Sequence, residues 1–185
     1  VVAVAVGTAQ ILTLKGDGTV SGLEPSVLGG TATPTNLNGV VAIAVADDNN
    51  LALKHDGTVV GWGFNYSGAS IPPANLNGVV AIAAGPQHSL ALKNDGTVVG
   101  WGLNCYGNIS PPANLRGVVA IAAGRTHSLA LKSDGTVVGW GGDAIGPADP
   151  PPDLNGVVAI AAGNGFSLAL KHDGKVVSWG LAWGY

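Results

Sequence analysis

GVVAIAAGPQHSLALKNDGTVVGW, residues 78–101, decides the fold. Val79 to Ala84 is a short apolar run bounded by Gly78 and Gly85, and it reads as a buried strand. His88 to Lys93 reads as a second strand. Asn94-Asp95-Gly96 turns the chain, because Asp-Gly between apolar runs is a strong hairpin signal. Thr97 to Trp101, rich in β-branched residues, is a third strand. A loop follows from Gly102, and a short fourth strand is expected near Asn108 to Ser110. Pro111-Pro112 then ends pairing, since proline has no N–H for a ladder. No 3.6-residue periodicity appears anywhere in the chain.

Alternation along these strands says how the units pack. Side chains of a strand point alternately to its two faces. Val79, Ala81 and Ala83 are expected on one face, with Val80, Ile82 and Ala84 on the other. In the third strand, Thr97, Val99 and Trp101 oppose the smaller Val98, Gly100 and Gly102. A sheet that is apolar on both faces needs a neighbour on each, with large residues nested against small ones.

The stretch recurs. Val-Val pairs begin at Val1, Val40, Val79, Val118 and Val157, a period of 39 residues without insertion or deletion. The Asp-Gly pairs starting at Asp17, Asp56, Asp95, Asp134 and Asp173 keep that period. So do Trp62, Trp101, Trp140 and Trp179, with Leu23 in the first unit. The repeat units are 1–39, 40–78, 79–117, 118–156 and 157–185, within one domain spanning 1–185. Stacked antiparallel units of this kind make an all-β chain with the blades of a β-propeller. A β-solenoid would share the fixed period, but its parallel strands do not suit Asp-Gly hairpins. Two closures are open: a closed five-bladed ring, which the reading favours narrowly, or part of a larger propeller.

Composition removes other classes. Hydrophobic residues make up 46% and charged residues 10% of the 185, which is too apolar for a disordered chain. The apolar runs fall far short of the roughly 20 residues a spanning helix needs, so no membrane insertion is expected. Net charge is −3, and five of the eight basic residues (Lys15, Lys54, Lys93, Lys132 and Lys171) fill one repeat position. No basic stripe can be drawn, so no nucleic acid partner is expected. Cys105 is the one cysteine, so neither a disulfide framework nor a cysteine zinc site is available. The stretch holds no Met and no signal peptide, so the chain is expected to be processed, excised or incomplete.

The consensus Val-Val-Ala-Ile-Ala-Ala-Gly-x-x-His-Ser-Leu-Ala-Leu-Lys-x-Asp-Gly-x-Val-x-x-Trp-Gly is carried best by 79–102 and 118–141. It closely resembles the repeat of the regulator-of-chromosome-condensation family. The resemblance implies a β-propeller, usually of seven blades. Such proteins include a nuclear exchange factor for a small GTPase, a secreted bacterial inhibitor of β-lactamases, and repeat modules of large bacterial surface proteins. The gapless, near-identical units look more like the bacterial kind, which makes an extracellular or cell-surface location the expectation.

Antiparallel order places the loops after the first and third strands of every unit at one end. Those loops differ between units, whereas the Asp-Gly turn and the Asn-Leu-Asn-Gly linker hardly change. Phe64, Tyr66, Tyr106, Phe166 and Tyr185, together with Trp183, all fall in or beside the variable loops. Aromatic side chains gathered on a rigid scaffold suit recognition. The expected binding set is Phe64, Asn65, Tyr66, His88, Asn104, Tyr106, Arg125, His127, Asp143, Phe166, Trp183 and Tyr185. The partner expected is another protein. A lectin binding glycan through aromatic stacking, or a purely structural array in a surface protein, are the alternatives.

No catalytic residue is assigned. Repetition of Lys-x-Asp-Gly in every unit marks a turn, because an active site is normally unique in a chain. His88 and His127 occupy equivalent positions, with Asp47 and Asp48 as conceivable partners for a metal, but no third ligand is fixed by spacing. A structural role at the start of a strand is the better reading, and neither metal nor cofactor is expected. Asn65-Tyr66-Ser67 and Asn108-Ile109-Ser110 match the N-glycosylation pattern, with Pro111 weakening the second.

Overall fold

The computed structural model describes residues 1–8, 10–23, 32–47, 49–65, 67–142 and 146–180. These residues form five three-stranded antiparallel meanders. Blade 1 consists of β1 (Ala3–Val6), β2 (Ile11–Leu14) and β3 (Val20–Leu23). Blade 2 consists of β4 (Val40–Ala46), β5 (Asn49–Lys54) and β6 (Val59–Gly63). Blade 3 is β7 (Val79–Ala84), β8 (His88–Lys93) and β9 (Val98–Gly102). Blade 4 is β10 (Val118–Ala123), β11 (His127–Lys132) and β12 (Val137–Gly141). Blade 5 is β13 (Val157–Ala162), β14 (Phe166–Lys171) and β15 (Val176–Gly180).

Each blade closes on its Asp-Gly turn. In blade 3, Thr97 donates to Asp95 Oδ1 through its backbone N at 3.0 Å and its Oγ1 at 2.6 Å. Gly96 follows at φ +80°, the left-handed conformation that excludes most side chains. The same side-chain hydrogen bond from Thr58 helps hold the Asp56 carboxyl down to about 2. Between blades, Val79 N donates to Gly57 O at 3.3 Å and Asn94 N donates to Gly78 O at 2.8 Å. These stitches are local and repeated, which is why the sequence at this end hardly varies.

Consecutive blades share four apolar cores built alike. The leading face of blade 3 presents Ala81, Ala83, Leu90, Leu92 and Val98. It packs on the trailing face of blade 4, which presents Ile121, Ala123, Ala130, Val138 and Trp140. Leu90 and Ala130 are both fully buried there. Large leucines against small alanines give the interlocking that dense packing requires. Simple alternation fails at one residue in each of blades 2 to 5. A bulge between Val79 and Ala81 shifts the register, so Val79 joins Ile82 and Ala84 in the core shared with blade 2 while Val80 stays 55% exposed.

The expected fourth strand is not formed, and each sheet stops at three strands. Residues 107–110 instead turn on a Ser110 N to Gly107 O bond of 3.0 Å and cross over β9 at Gly100. A Cβ on Gly100 would lie 2.6 Å from Ile109 O. The glycine is therefore needed for backbone approach, and the segment is a wedge between blades rather than an edge strand. The blades follow one another in an arc; among the described residues no apolar core joins blade 5 to blade 1, and ring closure is not shown.

Candidate functional site

A serine in the middle strand organises the ground under the variable loops. Ser128 Oγ donates its single proton to Asn108 O at 2.8 Å, on the return segment of the preceding blade. Trp140 Nε1 donates to the same carbonyl at 2.8 Å. The serine oxygen can then only accept, so the residue facing it across the blade interface must donate. His88 Nε2 does so at 2.9 Å, which fixes its proton on Nε2. The neighbouring interfaces repeat the pattern. Asn49 Nδ2 reaches Ser89 Oγ at 2.7 Å, and His127 Nε2 reaches Ser167 Oγ at 2.8 Å. Ser89 and Ser167 pass their protons to Ala69 O and Pro147 O. Asn and His interchange in this column because both donate, although only one can be charged.

This overturns the placement of His88 and His127 among the surface binding residues. Both are fully buried between blades. Burial pushes the His88 imidazole down to about 4, with the nearby His127 adding to the shift. His88 Nδ1 has no hydrogen-bond partner, so a second proton there would be a buried donor without an acceptor. Among the described residues no three His, Cys, Asp or Glu side chains gather to hold a metal.

Asn65 and Asn104 are also engaged, each in clasping its own loop. Asn65 Oδ1 accepts from Ser70 Oγ at 2.9 Å and Ser70 N at 3.2 Å. Asn104 Oδ1 accepts from Ile109 N at 3.2 Å, while its Nδ2 donates to Ser110 Oγ at 3.2 Å. Asn108, a glycosylation candidate, is 2% exposed and donates to Leu103 O, so the folded chain does not offer its amide for modification. Both loops are thus pinned at their far ends.

What remains at the tips is apolar, aromatic and charged. Tyr106 is 48% exposed, Leu103 37% and Phe64 36%, and Cys105 is exposed beside them. Arg125 is exposed at the loop between β10 and β11. Tyr66, Asp143, Trp183 and Tyr185 lie outside the described residues. Phe166 is exposed, but it opens β14 on the leading face of blade 5 and belongs to an end of the arc.

Toward the axis, the loops after the first strands of all five blades surround a cavity of about 640 Å³, to which Thr8, Asp47, Pro86, Arg125 and Asn164 each contribute. Asp47 and Arg125 are the charged residues among the described lining, and Thr8 Oγ1 donates to Asp47 Oδ1 at 3.1 Å. Asp47 sits at φ +47°. The described lining offers one carboxylate, which accepts the Thr8 hydroxyl's hydrogen bond, and one guanidinium, with neighbouring backbone.

Residues 79–108, 118–144 and 157–181 match the regulator of chromosome condensation (RCC1) repeat. Three of the five units therefore match that repeat. Solved structures of the same fold include Prp20p of Saccharomyces cerevisiae, 24% identical over 96% of this chain and 56% of that one, at a TM-score of 0.78. The CRINKLY WD40 ectodomain of the Arabidopsis thaliana receptor kinase ACR4 is 23% identical over 96% of this chain and 62% of its own, at a TM-score of 0.71. The Physcomitrella patens CR4 ectodomain is 20% identical over 97% of this chain and 52% of its own, at 0.79. The chain therefore spans little more than half the length of these structures, and at such identities they show the fold alone. No curated protein sequence matches it. Prp20p itself was characterised for binding to Gsp1p and histones, and was also seen bound to Kap60.

Proposed function

We propose that this chain is a non-catalytic interaction module that binds another protein through the variable-loop end of its blades. One observation carries the reading. Exposed side chains that differ from blade to blade (Phe64, Leu103, Tyr106 and Arg125) stand at one end of a scaffold whose opposite end repeats almost unchanged. Their loops are fixed by the Asn65 and Asn104 clasps and by the buried return carbonyls, so little order has to be gained on binding. Tyr and Arg on such a surface are the residue types that most often anchor protein interfaces. The protein partners of Prp20p fit a binding role for this fold, without naming the partner here.

The test is affinity capture from the protein's native surroundings, with the intact chain beside a Phe64→Ala, Tyr106→Ala, Arg125→Ala variant. Recovery of a specific partner should fall by roughly tenfold or more. The thermal midpoint should stay put, because these side chains are exposed. Equal recovery by both chains would refute the assignment of the face.

A further inference from the structure

The linkers between blades carry three Asn-Gly bonds, Asn38-Gly39, Asn77-Gly78 and Asn155-Gly156, while the remaining linker has Arg116-Gly117 in that place. Another Asn-Gly bond, Asn164-Gly165, lies in the loop after β13, where its glycine is buried. An asparagine side chain closes readily on the main chain before glycine, because glycine has no side chain to shield its own N–H. Exposure and backbone are alike at the three linker bonds. Asn38, Asn77 and Asn155 are all exposed. Gly39, Gly78 and Gly156 stand at φ +65°, +64° and +64°, so one backbone conformation serves all three.

The side chains are held differently. Asn77 Nδ2 donates to Asn75 O at 3.0 Å, and Asn155 Nδ2 donates to Asp153 O at 2.9 Å. Each amide is thereby turned back along the chain, whereas ring closure brings it forward against the nitrogen of the following glycine. Among the described residues the Asn38 amide makes no hydrogen bond. The turn that leads into it is also looser. Leu37 N donates to Pro34 O at 3.3 Å, against 3.0 Å for Leu76 N to Pro73 O and for Leu154 N to Pro151 O. Local sequence does not account for the difference, because residues 36–41 and 75–80 are the same stretch, Asn-Leu-Asn-Gly-Val-Val.

We propose that Asn38 is a site of spontaneous deamidation in the folded protein, and that it converts ahead of Asn77 and Asn155. The Gly39 nitrogen attacks Asn38 Cγ, the Cγ–Nδ2 bond breaks, and ammonia leaves with the proton that the Gly39 nitrogen gives up. Water then opens the cyclic succinimide. Opening at Cγ yields aspartate, and opening at the main-chain carbonyl yields isoaspartate, which routes the backbone through Cβ and Cγ. Either product lowers the net charge by one, from −3 to −4. Isoaspartate also adds a methylene to the backbone just before two stitches of blade 2, His55 N to Gly39 O at 2.9 Å and Val40 N to Gly18 O at 3.0 Å. The site lies at the unvarying end, so it stands apart from the proposed binding face.

The experiment incubates the full folded chain at neutral pH and maps it by tryptic peptides over time, with a zero-time sample to correct for conversion during digestion. Cleavage at the lysine column puts Asn38, Asn77 and Asn155 on separate peptides, 16–54, 55–93 and 133–171, and fragment spectra separate Asn155 from Asn164. Conversion is read as the mass gain from amide to acid, and isoaspartate by its separate elution. Asn38 should convert roughly fivefold faster than Asn77 or Asn155, the rate equivalent of one net hydrogen bond. Asn38→Gln should abolish the gain, since the longer side chain does not close this ring. In guanidinium chloride the bonds are gone, and Asn38 and Asn77 should convert at one rate. His55→Asn removes the other difference between the two sites. His55 Nδ1 lies 3.0 Å from where a Cβ on Gly39 would stand, and Asn94 Oδ1 lies 3.1 Å from the same point on Gly78. The variant gives both glycines one kind of neighbour, and the ratio should persist. Equal folded-state rates, or none at Asn38, overturn the inference. So do a gain in 16–54 that survives Asn38→Gln, a ratio that survives denaturant, and a ratio lost in His55→Asn.

Discussion

Acidification should destabilise this protein through His88 before Asp56 is protonated. The folded state holds the His88 imidazole at about 4, whereas in an unfolded chain it titrates near its ordinary 6.5. Above pH 6.5 the ring is neutral in both states and the stabilisation relative to acid is fully present. As pH falls from there toward 4, the unfolded ensemble takes a proton that the native state refuses, so stability is lost over that window. The loss is about 2 kcal/mol between pH 7 and 5, and about 3 kcal/mol by pH 4. Asp56 titrates later: its folded carboxyl lies at about 2, below the ordinary 3.8, so its contribution is lost only below the histidine window. The control is already written into the repeat. Asn49 occupies the equivalent position in blade 2 and donates to Ser89 Oγ at 2.7 Å, so His88→Asn keeps a donor for Ser128 while removing the titration. Urea unfolding at pH 7 and pH 5, with the m-value checked for constancy, reads the difference. His88→Asn should lose about 2 kcal/mol less than the wild type over that interval. An equal loss in both proteins would refute the reasoning.

Three further outcomes test the packing and the wedge. Leu92→Ala, at a position 3% exposed, should cost about 2–5 kcal/mol in urea unfolding, while Leu170→Ala, its equivalent at 37%, should cost less than half as much. Gly100→Ala puts a Cβ 2.6 Å from the Ile109 carbonyl and 2.7 Å from its Cα, so it should lower stability by about 1–3 kcal/mol, read from the same unfolding curves. Trp140→Phe removes the Nε1 bond to Asn108 O while Ser128 still serves that carbonyl, and it should cost about 1 kcal/mol by thermal or urea unfolding.

The candidate site was only partly legible in the sequence. The exposed tips at Phe64, Tyr106 and Arg125 followed from strand order alone, because a meander sends the loops after its first and third strands to one end. His88 and His127 sit next to those loops in the chain, and nothing in the sequence distinguishes a loop-end histidine from one turned between sheets. The signal available was the serine that follows each of them, Ser89 and Ser128. Its meaning depends on a partner 40 residues away, since His88 binds the serine of the next blade.

The same division holds for the whole molecule. The sequence by itself determined the 39-residue unit, its three strands and its Asp-Gly turn, because alternation, β-branching and turn chemistry act within a few residues. That residues 107–110 form a wedge rather than a strand was settled only by tertiary contact, since the Asn108 carbonyl is taken by Ser128 and Trp140, 20 and 32 residues on. The burial of the donor column between blades was decided there as well. Those outcomes depend on which faces meet, and contacts between blades are set by the stacking of whole sheets rather than by local propensity.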